Sequence, residues 1–197
     1  MILNSQNIII TSNKVSIFGA DVSLEQTGEA LLTELYHRYI GDYPKFFKMD
    51  TLSRLGFIGA ELLLRHITTD ECVTENCAII FGNQSSSIKN DNDYLATIQD
   101  EATYYPSPSL FVYTLPNIVT GEIAIRHKMY GETCFYVLEN EQQLEEIVLA
   151  TLSTTNYQFA IVGWVECTEK NNFYANIKLL WKNWFYNSKN KLSKFLT

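Results

Sequence analysis

Residues 106–140 read PSPSLFVYTLPNIVTGEIAIRHKMYGETCFYVLEN, and this stretch decides the fold. Two prolines, Pro106 and Pro108, close off whatever precedes them, because proline fixes φ and removes a backbone donor. Residues 110–115 (LFVYTL) are apolar and β-prone. Pro116-Asn117 then opens a short helix in which Val119, Ile123 and the Ile118/Ile125 pair are expected to face inward. The helix ends over residues 128–131, at Gly131. Residues 134–138 (CFYVL) read as a strand, and Glu139-Asn140-Glu141 starts another helix. There Asn140 can cap, Gln143 sits at the capping-box position, and Glu141, Glu145 and Glu146 favour the positive helix end. A strand framed by two helices in this way is the signature of a crossover α/β unit.

The same pattern extends outward in both directions. Residues 7–11 (NIIIT) form a short buried strand, followed by a turn and a possible hairpin arm at residues 15–18. Ser23 and Gln26 are spaced as a capping box, and Leu31, Leu32, Leu35, Tyr36 and Tyr39 recur at helical spacing over residues 27–40. Tyr43, Phe46 and Phe47 anchor the next loop. Asp50 is placed to cap a helix whose inward face carries Leu52, Leu55, Gly59, Leu62, Leu63 and His66. Gly56, Gly59 and Ala60 make that helix thin, which suits close packing on a sheet or a sister helix. Residues 78–82 (AIIFG) read as a central strand covered on both faces. The polar run Asn83, Gln84, Ser85, Ser86, Ser87 at its carboxyl end reads as a loop, since no Gly-rich phosphate pattern accompanies it. Residues 91–104 are expected to hold a helix. Beyond the opening stretch, Leu144, Ile147, Val148 and Leu152 make a buried stripe. Residues 159–165 (FAIVGWV) and 173–180 (FYANIKLL) follow as an antiparallel strand pair. The expected class is α/β, with a mixed five-stranded sheet covered by helices over residues 1–180 and a basic, aromatic tail at residues 181–197.

At 197 residues the chain suits one domain with a real core. Its net charge of −7 argues against a nucleic-acid partner, whose signature is a basic face. The acid is spread widely, except that none occurs after Glu169. Four cysteines are present, Cys72, Cys77, Cys134 and Cys167. With no signal segment and no long apolar run, a cytoplasmic setting with free thiols is expected. Cys72 and Cys77 have zinc-knuckle spacing but no second ligand pair, so neither metal nor cofactor is expected.

Several of these pieces, in this order, resemble the N-terminal half of a β-ketoacyl synthase of the thiolase fold. Lys48-Met49-Asp50 with Leu52-Ser53-Arg54-Leu55 resembles the start of that family's long second helix. Leu115-Pro116-Asn117 with Gly121, Ile123-Ala124-Ile125 and Gly131 resembles its Pro-Asn helix and Gly-led strand. The strand with Gly163 and Glu166 resembles the one where the family usually carries two glycines and a Glu. More narrowly, the chain is similar to short ketosynthase-like proteins of aryl-polyene and flexirubin-type pigment pathways.

The resemblance implies a nucleophilic cysteine at the N-terminus of the helix that follows the Gly-led strand, where helix amides lower the thiol pKa and stabilise an oxyanion. Counting from Gly131 or back from Glu166, that position falls on Leu138, Glu139 and Asn140, and none of these is cysteine. The family's two histidines come from a C-terminal half that this sequence does not include. The implied role is therefore a non-catalytic subunit that partners a full ketosynthase or an acyl carrier protein, as chain-length factors do. Acyl transfer by a Cys134/His127 pair, or by the Ser85–Ser87 loop, is the alternative. The resemblance also implies that Thr133, Cys134, Phe135, Tyr136, Val137 and Leu138 form a dimer edge, in a homodimer or in a heterodimer with a ketosynthase. The tail can pack on the domain, dock an acidic carrier protein or touch an anionic membrane surface.

Overall fold

The computed structural model describes residues 7–66 and 76–182. Their centre is one seven-stranded mixed sheet. Its strands are β1 (Asn7–Thr11), β2 (Val15–Ile17), β3 (Ala20–Val22), β4 (Cys77–Asn83), β5 (Thr133–Val137), β6 (Phe159–Glu169) and β7 (Asn172–Trp181). Their order is β3-β2-β1-β7-β6-β4-β5. β4 runs parallel to β5 and β6, while the pairs from β6 through β7 and β1 to β3 are antiparallel. The five apolar runs of the sequence are all strands. The two additional ones are the β2–β3 hairpin, whose first arm falls on the possible arm at residues 15–18 and which extends the sheet beyond β1.

Among the described residues six α-helices accompany the sheet: α1 (Gly28–Tyr39), α2 (Thr51–Leu64), α3 (Ile88–Leu95), α4 (Pro108–Val112), α5 (Ile118–His127) and α6 (Glu141–Thr154). On one face α1, α2 and α5 enclose the larger core. On the other, α6 covers β4 and β6 through Leu144, Val148 and Leu152. α2 begins where Asp50 accepts the Ser53 amide at 3.0 Å. Its glycines bring it close to both neighbours. A Cβ on Gly56 would lie 2.5 Å from Val119 of α5, and one on Gly59 would lie 2.3 Å from Ile177 of β7.

Four local expectations are corrected. Residues 110–115 are not extended. Ser107 accepts the Leu110 amide and Pro108 sits at the first helical position, so the chain forms α4 and a turn. The helix expected at residues 91–104 instead begins at Ile88, ends at Leu95, and is followed by a 3-10 turn at Glu101–Thr103. The Ser23/Gln26 box does not form. α1 starts later, after Thr27, and the Gln26 amide goes to Glu34 at 2.9 Å. Finally, Ile118 is only partly buried and Ile125 is 66% exposed. Cys72 and the tail beyond Lys182 lie outside the described residues.

From Asp91 to Asn117 no residue is fully buried. This excursion is tied down by two polar side chains from below. Ser87 Oγ donates to the Thr114 carbonyl at 2.7 Å, and Asn90 Nδ2 donates to the Leu110 carbonyl at 3.0 Å.

Candidate functional site

The carboxyl ends of β4 and β6 and the start of α6 converge on a cavity of about 520 Å³. Its position follows from the parallel part of the sheet, where such crevices form. At the end of β4, the fully buried Asn83 brackets the turn. Its Nδ2 donates to the Ser86 carbonyl at 2.8 Å, and its Oδ1 accepts the Ser86 amide at 2.8 Å. Ser86 takes a left-handed conformation (φ +52°) to permit this. From β6, the Glu166 carboxylate accepts the Gln84 amide and, at 2.5 Å, the Ser85 hydroxyl. The Ser85–Ser87 loop is thereby held rather than poised. Ser87 donates to Thr114, and Ser85 has a carboxylate but no imidazole beside it.

The third wall is the N-terminus of α6, where Leu138, Glu139 and Asn140 stand. Asn140 Oδ1 accepts the Gln143 amide at 3.1 Å, and Gln143 Oε1 accepts the Glu139 amide at 2.9 Å. One amide of the helix end, that of Gln143, and the Glu139 amide just before the helix are thus engaged by the chain's own side chains. Glu141 accepts Asn176 Nδ2 at 2.6 Å and lies 3.3 Å from Lys178 Nζ. Glu139, Glu141 and Glu166 line the cavity together with Trp164, Phe173 and Tyr174, and no lining residue is cationic.

Cys134 and His127 are not brought together. Cys134 packs with the α6-side cluster, and its Sγ donates to Glu132 at 3.3 Å. Burial, reinforced by that carboxylate, pushes the thiol up to about 11. His127 lies on the opposite face of the sheet, where its Nε2 meets Glu61 of α2 at 2.6 Å. Cys167, on β6, is pushed up to about 12, chiefly by burial. The other histidines, His37 and His66, sit on α1 and just past α2 and do not line the cavity. Among the described residues no group of three His, Cys, Asp or Glu could hold a metal ion.

One polar constellation was not anticipated. Glu61 and Glu122 are both buried, on the facing helices α2 and α5. Glu122 accepts the Tyr43 hydroxyl at 3.2 Å and pairs with Lys45 at 2.6 Å. Arg126 pairs with Asp42 at 2.6 Å and lies over the Tyr43 ring at 5.2 Å. The Glu122 hydrogen bond raises Lys45, and burial with Glu122 raises Tyr43. The network pins the loop before α2 onto α5. Its only signal in the sequence is that the charges of α5 fall at the same helical angles as Val119 and Ile123.

No protein-family model and no curated protein matches the chain. Solved structures do. The ishigamide ketosynthase/chain length factor superposes with a TM-score of 0.65 at 14% identity, over 90% of this chain and 61% of that one. The chain has the ketosynthase/chain-length-factor fold. A chain of the ketosynthase ApeO with its chain length factor ApeC from Xenorhabdus doucetiae matches with a TM-score of 0.57 at 14% identity, covering 91% of this chain and 77% of that one. A third match is AntDE:AntF, a type II PKS acyl-carrier protein with its ketosynthase bound to the hexaketide. There the TM-score is 0.62 and the identity 11%, covering 94% of this chain and 64% of that one. In two of the three, this chain spans less than two thirds of its neighbour. The resemblance read from Pro116-Asn117, Gly131 and Glu166 and the thiolase-like class therefore hold at the level of fold. No helix among the described residues is long and apolar enough to cross a membrane.

Proposed function

We propose that this chain is a non-catalytic ketosynthase-like subunit of fatty-acid or polyketide-type assembly, of the aryl-polyene kind. It would act as the partner of a full ketosynthase or of an acyl carrier protein in the cytoplasm. The observation that carries this reading is the N-terminus of α6. On the resemblance, the family's cysteine position would fall on Leu138, Glu139 and Asn140, none of which is cysteine, and Gln143 and Asn140 engage the Glu139 and Gln143 amides there. The carboxylates of Glu139 and Glu166, in a cavity whose lining carries no cation, also oppose a malonyl group or a phosphopantetheine arm, both anionic.

The partner would meet β5, which ends the sheet. Thr133, Cys134, Phe135, Tyr136, Val137 and Leu138 carry no charge, and an unprotected apolar edge invites pairing. A charge at Val137, which is 58% exposed, should weaken that assembly. Incubating the purified chain with malonyl- and acyl-carrier protein tests the non-catalytic reading. Condensed product that vanishes in Cys134→Ala would overturn it.

A further inference from the structure

Strands β6 and β7 set three side chains of the cavity on one face of the sheet. Trp164 and Glu166 stand two residues apart on β6, and Tyr174 lies directly across from Glu166 on β7. Trp164 is only 8% exposed, packs in the α6-side cluster with Tyr174, and lines the cavity. Its indole N–H has no acceptor among the described residues. No fully enclosed side-chain nitrogen or oxygen lacks a partner, so this donor keeps an open path. A tryptophan buried by more than nine-tenths, with its one donor unspent, calls for an acceptor from outside the chain.

The charges beside these rings are left over in the same way. Glu166 spends two of its roughly four acceptor positions, on the Gln84 amide and the Ser85 hydroxyl. The Glu139 carboxylate spends none, and neither carboxylate meets a cation among the described residues. Glu141 differs, since Lys178 pairs with it and with Glu145. The amino end of α6 adds about half a positive charge. Three carboxylates against Lys178 and that half charge leave the cavity negative, with aromatic faces next to the unpaired acid.

We infer that this cavity binds a small organic cation, an amine or quaternary ammonium that also carries a hydroxyl or carbonyl oxygen. The cationic head sits between Glu139 and Glu166 and against the faces of Trp164 and Tyr174, where ring quadrupole and carboxylate charge act together. The ligand's oxygen takes the Trp164 N–H. At about 520 Å³ the cavity falls in the size range of small-molecule sites. The inference goes beyond the non-catalytic reading and does not need it, because a cation can be held here whether or not the chain condenses acyl groups.

Isothermal titration calorimetry of the purified full chain tests this with choline, its neutral dimethylbutanol isostere, and malonate. Choline should bind with a Kd of about 1 mM or tighter. The isostere should bind at least about 10-fold more weakly, and malonate not at all. Glu139→Gln changes an exposed side chain that has no partner, and Trp164→Phe keeps a ring while removing the N–H. Each should weaken choline about 5-fold or more, with circular dichroism unchanged. Should Trp164→Phe disturb the fold, Glu139→Gln decides alone. No heat at about 10 mM choline overturns the site. Equal binding of the isostere overturns a cation as its occupant, and choline binding that resists both variants overturns its placement here. The condensation assay is read separately: a chain that condenses can still bind choline, and one that binds nothing can still be non-catalytic.

Discussion

Glu61 holds His127 at 2.6 Å, on the face of the sheet opposite Cys134. That imidazole is thus committed to a buried carboxylate, and the thiol faces the Glu132 carboxylate with no imidazole beside it. With its pKa pushed up to about 11, Cys134 should resist alkylation at neutral pH. The rate of its modification by iodoacetamide, followed by peptide mass, should keep climbing as the pH approaches 11. A rate that levels off below about pH 9, near the range of a free thiol, would show an activated cysteine instead.

Asp50 caps α2 while partly buried, and burial raises its carboxyl against the lowering effect of Ser53. A carboxyl with a folded pKa above its unfolded one takes up protons on folding. Stability therefore falls as pH rises through the interval just above the ordinary carboxylate value. Asp50→Asn keeps a good cap and removes that slope. In urea titrations the variant should be at least as stable as the wild type at pH 7, and its advantage should shrink toward about pH 4. A loss of more than about 1 kcal/mol at pH 7 would mean that the charge itself supports the helix.

Gly163 on β6 leaves room for Phe81. A Cβ there would lie 2.8 Å from three atoms of that fully buried ring. Gly163→Ala should cost about 1–3 kcal/mol in the urea midpoint. Phe81→Leu in the same chain should recover part of the loss, a coupling expected of residues in contact. Additive losses would mean that the ring is not the obstacle.

Much of the scaffold was readable from local chemistry. The apolar runs at residues 7–11, 78–82, 134–138, 159–165 and 173–180 announced five strands, and Asp50 and Asn140 announced two helix starts. Residues 110–115 misled because their β-propensity was overruled by Ser107-Pro108, a start signal, with no sheet edge there to join. The hairpin arm read at residues 15–18 is β2, while β3, three residues long, is too short for any periodicity to register. α5 was read with Ile118 and Ile125 inward because apolar residues usually face the core. The reversal depends on Lys45, Asp42 and Glu61, which lie far away in sequence. The Glu61–His127 contact spans 66 residues, and nothing local marks it. The proposed nucleophile position at Leu138, Glu139 and Asn140 rests on counting from Gly131 and Glu166. Its physical meaning emerged from Asn140 and Gln143, whose bonds close the helix end.

The most direct measurement is a condensation assay with the purified full chain, malonyl-carrier protein and acyl-carrier protein, read by mass spectrometry of both product and protein. The expected result is no condensed product and no acyl group on the chain, with Cys134→Ala indistinguishable from the wild type. Turnover by the chain, lost in Cys134→Ala, or an acyl adduct at Cys134 or Ser85, would contradict the non-catalytic reading.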